Sequence, residues 1–190
     1  MWLDRVKRLY KKELKLTWKS FSLDQINHKH GPDWKVWEQP DSYISRSLLS
    51  LRAGEAARLQ GKQPFEKFHM ALLNARHSGH KRIHLNQIGP LIEVARDVEL
   101  DVEQFQKDLE DRSLLQVIAQ DHTEATEIYG IFGTPTFVFH NGNAAYVKTF
   151  LPPLEDSILF FEHFVALASE RPYLGELKRP QPPWPKGSIK

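Results

Sequence analysis

The chain has 190 residues, 41% of them hydrophobic and 26% charged, which suits one globular domain with room for an insertion. Its 26 basic and 24 acidic side chains leave a formal charge of +2, too small to imply a nucleic-acid partner. It contains no cysteine, and this removes disulfides, thiolate metal ligands and thiol nucleophiles together. No apolar run approaches a bilayer span and no charged-then-apolar leader opens the sequence, so a cytoplasmic protein with no membrane partner is expected.

In chain order, "MWLDRVKRLYKK" spaces Leu3, Val6 and Tyr10 for one face of a helix. "ELKLTWKSF" (13–21) then alternates. Leu14, Leu16 and Trp18 fall on one face and Lys15, Thr17 and Lys19 on the other, which predicts a strand with an edge-like lysine row. Residues 22–40 have no period and carry Gly31, Pro32, Trp34, Trp37 and Pro40, so they read as a long ordered loop. Helices follow. Ile44, Leu48 and Leu51 mark one closing at Gly61. Pro64 opens another through Phe65, Phe68 and Leu72 to Gly79, and Leu91, Ala95 and Val98 mark a third. Asp101 with Gln104 forms a capping-box signal for a fourth. Helical turns around 121–129 stop at Gly130.

Strand character returns in "GIFGTPTFVF" (130–139). Asn141-Gly142 signals a hairpin, 146–150 supply the return strand, and Pro152-Pro153 introduce an apolar helix stopped by Pro172. A proline-rich tail (173–190) closes the sequence. The order is helix, strand, helical block, hairpin, helix. That is an α/β chain whose block (about 41–129) reads as an insertion between two thioredoxin-like parts, 1–21 and 130–170, in a single domain over 1–172.

At "GIFGTPTFVF" the chain resembles the DsbA-like branch of the thioredoxin superfamily, particularly its cytosolic FrnE-like members. The likeness extends to "LRAGEAARLQGKQPFEKFHMALLNARH" (51–77) and "LDVEQFQKDLED" (100–111). The resemblance implies a thioredoxin-like fold with an all-helical insertion. It also implies a cis bond before Pro135, in a loop whose backbone binds an extended substrate segment. In that family a strand leads into Cys-x-x-Cys at the start of the first helix, where the helix dipole lowers the thiol pKa. Here the chain opens inside that helix, with the first strand and Cys-x-x-Cys missing; these would occupy roughly fifteen to twenty residues. A truncated, cysteine-free and redox-inactive member is therefore expected, with no catalytic residue of its own.

The resemblance assigns substrate or peptide contacts to Gly133, Thr134 and Pro135, with Trp18 and Phe21 as neighbouring aromatics. The implied partner is an extended peptide or protein, held without a cofactor, and an open sheet edge offers a route to a dimer. A rival branch, the kappa-class glutathione transferases and chromene-carboxylate isomerases, uses serine in place of the thiol. Its "FWGxDR"-like segment is replaced here by "TFLPPLED" (149–156).

Other constellations weigh less. His77, His80 and His84 have helical spacing, but Gly79 interrupts it and no acidic residue completes a set, so no metal is expected. The basic residues of the first helix read as a solvated face. Trp18, Phe21, Trp34 and Trp37 suit equally a groove lining and pins that hold the long loop to a core.

Overall fold

The computed structural model describes residues 1–77 and 82–178. The predicted helix stop at Gly79, His80 of the histidine series and the tail from 179 onward lie outside the described residues. The chain divides into two compact units. One combines Met1–Trp18 with the chain from Tyr129 onward, and the other is Lys19–Ile128.

In the first unit, α1 (Trp2–Leu9) buries Trp2 and Val6, four residues apart and so on one face. That face meets α8 (Ser157–Ala168). The Trp2 ring lies 4.6 Å from Phe160 and further, edge-on, from Phe161 and Phe164, at 6.1 and 6.0 Å. Its indole N–H donates to the Ser157 carbonyl at 3.0 Å, so the one polar atom of a buried ring is satisfied. Leu3, Tyr10, Leu14, Leu151 and Val165 pack around this cluster.

The hairpin of this unit pairs β1 (Thr136–Val138) with β2 (Ala144–Tyr146), antiparallel, with Thr136 opposite Tyr146 and Val138 opposite Ala144. Phe137 and Phe139 point to the other face, where their rings meet Phe164 at 5.0 and 5.9 Å. The turn differs from the two-residue type that Asn-Gly favours. Gly142 N–H donates to Phe139, Phe139 N–H donates to Asn143, and Gly142 takes the positive φ of 84°. This is a three-residue loop with glycine in the left-handed position. The loop places Asn141 and Asn143 so that both side-chain amides donate to the Ser169 carbonyl, at 2.8 and 2.6 Å, capping the end of α8.

The predicted strand over 13–21 does not form. Its burial alternates residue by residue from Leu14 to Ser20, as only extended backbone does, yet it joins no ladder. No backbone–backbone hydrogen bond joins residues 11–17 to another described residue. The side-chain pattern is local and survives; a ladder needs a neighbouring strand, and no described strand pairs with it. The return strand is Ala144–Tyr146, ending where the predicted strand 146–150 began, and Leu154 stays outside α8, exposed.

The second unit is helical. It holds α2 (Leu23–Ile26), α3 (Leu48–Leu59), α4 (Lys62–His77), α5 (Ile88–Asp97), α6 (Val102–Glu110) and α7 (Leu114–Thr123). Its core joins Ala53, Ala56 and Ala57 of α3 to Phe68, Leu91, Ala95 and Phe105. The alanines let α3 approach α4, α5, α6 and α7 closely, and Phe68 and Phe105 meet at 5.2 Å.

Two sequence signals resolve differently here. Ile44 is 80% exposed and α3 begins only at Leu48, because its cap is non-local: Ser45 Oγ and the Arg46 amide both donate to Asp24 of α2. The Leu48 amide in turn donates to Ser45 Oγ. Asp101 caps α6 through the Gln104 amide at 3.0 Å, as its spacing predicts. The reciprocal half of the capping box is missing: Gln104 turns to Asp108, and the Asp101 N–H goes to Gln60.

The long loop at 22–40 is more regular than its composition suggests. It contains α2 and a 3-10 turn at Val36–Glu38. The buried Gln25 amide holds it, accepting from Val36 N–H at 2.7 Å and donating to the Trp34 carbonyl at 3.0 Å. Val36 is fully buried, and Trp34 stacks on His30 at 4.5 Å and meets His28 at a tilt at 4.8 Å. These rings pin the loop.

Candidate functional site

The proline loop leaves the helical block through a local irregularity. After α7 the chain widens into a π-helical turn over Glu124–Ile128, with Thr126 Oγ1 donating to the His122 and Thr123 carbonyls. Gly130, at φ 62°, redirects the backbone. Gly133, Thr134 and Pro135 follow, and the Thr134–Pro135 peptide bond is cis. Thr134 and Pro135 are exposed.

The Thr136 hydroxyl donates to the Gly133 carbonyl at 2.7 Å and fixes the turn into β1. A Cβ at Gly133 would stand 3.4 Å from the Tyr146 ring, so the loop backbone runs close beside that ring.

The ladder determines which backbone groups are left over. Val147 N–H donates to Pro135 and Phe139 N–H to Asn143, so 135/147, 137/145 and 139/143 are the hydrogen-bonded pairs of the hairpin. Thr136 and Val138 therefore point their N–H and C=O groups away from β2. Together with Thr134 they line the second edge of β1, and no described strand pairs there. Beside that edge is an apolar rim. Phe132 is 67% exposed and its ring meets Tyr146 at 5.2 Å, while Val138 lies on the same outer face as Tyr146.

Of the five residues singled out by sequence, Gly133, Thr134 and Pro135 form this loop. Trp18 is half-buried at the end of the extended stretch that precedes the helical unit. Phe21 belongs to the helical unit, where its ring packs on His122 at 4.6 Å. Phe132 and Tyr146 escaped the sequence reading. Phe132 lies within the quoted phrase, but its exposure depends on the turn; Tyr146 gave only a strand signal.

The helical unit carries its own polar cluster, also unread in the sequence. Asp121 accepts from Lys19 Nζ at 2.7 Å and from the Ser20 N–H at 2.8 Å. Ser20 Oγ donates to the buried Glu55, which also pairs with Arg58 at 2.9 Å. The Lys19 pKa is raised, first by its hydrogen bond to Asp121. Ser22 N–H donates to His122 Nδ1 at 3.2 Å, and burial pushes the His122 pKa down to about 4, with Lys35 adding to the effect. An imidazole held neutral as an acceptor is an anchor for residues 19–22 on α7.

No group of three or more His, Asp or Glu among the described residues is placed to hold a metal ion, and none of their helices is long and apolar enough to cross a membrane. What the loop offers is backbone pairing and apolar contact.

Comparison with known proteins agrees with this architecture. A family model described as Thioredoxin matches residues 4–151. Among curated proteins, the chain is similar to the ClpXP adapter protein SpxH of Bacillus subtilis (strain 168), 29% identical over 109 residues. That stretch is 57% of this chain and 36% of the relative, so the chain spans about a third of the relative's length. The family match runs from the first helix through the whole hairpin rather than over the proline loop alone, and on that ground the chain belongs to the thioredoxin family.

Proposed function

We propose that this chain is a thioredoxin-family binding module of the DsbA-like branch, one that holds an extended peptide or protein segment without redox chemistry. The observation that carries this reading is the edge of β1 at Thr134, Thr136 and Val138, which no described strand pairs, beside the exposed Phe132–Tyr146 rim. A peptide laid along that edge exchanges main-chain hydrogen bonds with it, and its alternate side chains fall on the outer face near Val138 and Phe132. Thiol–disulfide exchange needs a thiolate, and this chain of 190 residues supplies none. The relative's name as an adapter protein supports a module that holds a protein.

Binding of a fluorescent, proline-free peptide of alternating apolar residues, read by anisotropy, tests this. Phe132→Ala removes a ring that is mostly exposed, so the fold stays intact while affinity falls roughly 5- to 30-fold, the scale of losing one aromatic anchor. Equal affinity for both proteins sinks the reading, as does turnover of a disulfide reporter peptide above the dithiothreitol blank.

A further inference from the structure

The hairpin turn holds a reactive group that peptide binding at β1 does not use. The chain has five asparagines, Asn27, Asn74, Asn86, Asn141 and Asn143, and only Asn141 is followed by glycine. An asparagine side chain is open to attack at its amide carbon by the backbone nitrogen of the next residue. Glycine there offers the least hindered nitrogen and the freest backbone. Asn141 and Gly142 are both exposed. In the closed turn every part of that reaction is engaged. The Gly142 N–H, the nucleophile, donates to the Phe139 carbonyl at 2.9 Å. Asn141 Nδ2, the leaving group, donates to the Ser169 carbonyl at 2.8 Å, and Asn141 Oδ1 accepts from the Asn143 N–H at 3.1 Å. Attack must therefore wait until the turn opens locally.

We propose that Asn141 is a self-modification site masked by the closed turn, converting to aspartate or isoaspartate only in the fraction of molecules whose turn is open. In the opened turn the Gly142 nitrogen bonds to Asn141 Cγ and gives up its proton. The Cγ–Nδ2 bond breaks, and its nitrogen leaves as ammonia. The five-membered imide that results takes up one water, which splits one of its two C–N bonds and leaves an aspartyl or an isoaspartyl link. Water is the sole co-reactant; nothing is oxidised or reduced.

The product does not rebuild the turn. A carboxylate has no N–H for the Ser169 carbonyl and sets acceptor against acceptor. Isoaspartate also lengthens the main chain by one carbon inside a three-residue loop. Of the two amides on the end of α8, only that of Asn143 remains. The conversion runs one way, so it records how often the hairpin has opened. It rests on the turn alone and stands or falls independently of peptide binding at β1.

Ageing the full chain in mildly alkaline buffer beside the end-blocked peptide "FHNGNAA" (139–145), with both mapped by mass spectrometry, tests this. Asn141 is expected to convert in the full chain roughly 10- to 100-fold more slowly than in the peptide, because two or three hydrogen bonds must break first. Asn143→Ala removes the second amide from the Ser169 carbonyl and is expected to speed the conversion roughly 2- to 10-fold. Asn141→Asp, one of the two products made directly, is expected to lower the thermal midpoint by roughly 2–6 °C. Conversion as fast as in the peptide overturns the masking, and no conversion even at about a hundredth of the peptide rate overturns the site. An Asn143→Ala rate equal to that of the wild type, or an Asn141→Asp midpoint equal to it, overturns the role given to the Ser169 contacts.

Discussion

The two compact units place their unfinished hydrogen bonds differently. In the helical unit the backbone is largely paired within each helix, and exceptions are met by side chains from elsewhere in the same unit. Asp24 and Ser45 cap α3, Gln60 takes the Asp101 amide, and Asp121 takes that of Ser20. In the sheet unit the aromatic core is complete, but the backbone is not. A two-stranded hairpin has two outer edges, and among the described residues no backbone–backbone hydrogen bond joins the extended stretch 13–17 to another segment. Helices close their own bonds, whereas strands borrow theirs from neighbours. Capacity for partners therefore concentrates in the unit with strands.

This contrast can be broken from the helical side. Phe68 is fully buried against Phe105 at the centre of that core. Phe68→Ala is expected to cost about 3–5 kcal/mol, through lost burial and the cavity left behind. Urea unfolding followed by circular dichroism checks it. A loss under about 1 kcal/mol would mean the helical core is looser than its burial implies.

A smaller effect follows from the two buried histidines of that unit. His122 and His69 both have pKa values pushed down to about 4, each mainly by burial. In the unfolded chain they protonate near 6.5, so between those limits unfolding takes up protons. Their contribution is fully present above about pH 6.5 and is lost as the pH falls toward 4. Unfolding series across that window are expected to show stability falling with acid. His122→Asn keeps an acceptor for the Ser22 amide but cannot titrate, and should flatten part of the slope. An identical slope in the variant would remove His122 from the account.

The smallest effect belongs to the sheet unit. Asn143→Ala removes one of two amides on the Ser169 carbonyl while Asn141 keeps the other. The expected loss is about 0.5–1.5 kcal/mol, read as a modest drop in the thermal midpoint. A loss several times larger would show that the hairpin and the end of α8 depend on this single contact.

The sequence disclosed what is local. The helical periods, the Asp101 cap, the Asn-Gly turn and the proline loop were all legible, because each depends on residues a few positions apart. The Leu14–Trp18 alternation predicted which side chains face inward, half-buried, but not the absence of a ladder, since a ladder needs a second chain segment that no local pattern specifies. The π-helical turn at Glu124–Ile128 and the Asp121–Ser20 bond were equally hidden. The first is a choice between nearly equivalent helical ladders, and the second spans a sequence separation of 101 residues. Of the candidate site, the loop residues were readable. Its rim was not, because the exposure of Phe132 and Tyr146 is set by the hairpin rather than by the composition around them.

The central claim is that β1 offers an unpaired edge that takes an extended segment, and residue-resolved amide hydrogen exchange tests it most directly. The account predicts that the Thr134, Thr136 and Val138 amides exchange rapidly in the free protein while Phe137 and Phe139, bonded within the hairpin, are protected. Adding the alternating apolar peptide should then slow the first set and leave the second unchanged. Protection of Thr136 and Val138 in the free protein, or exchange there that the peptide does not alter, would contradict it.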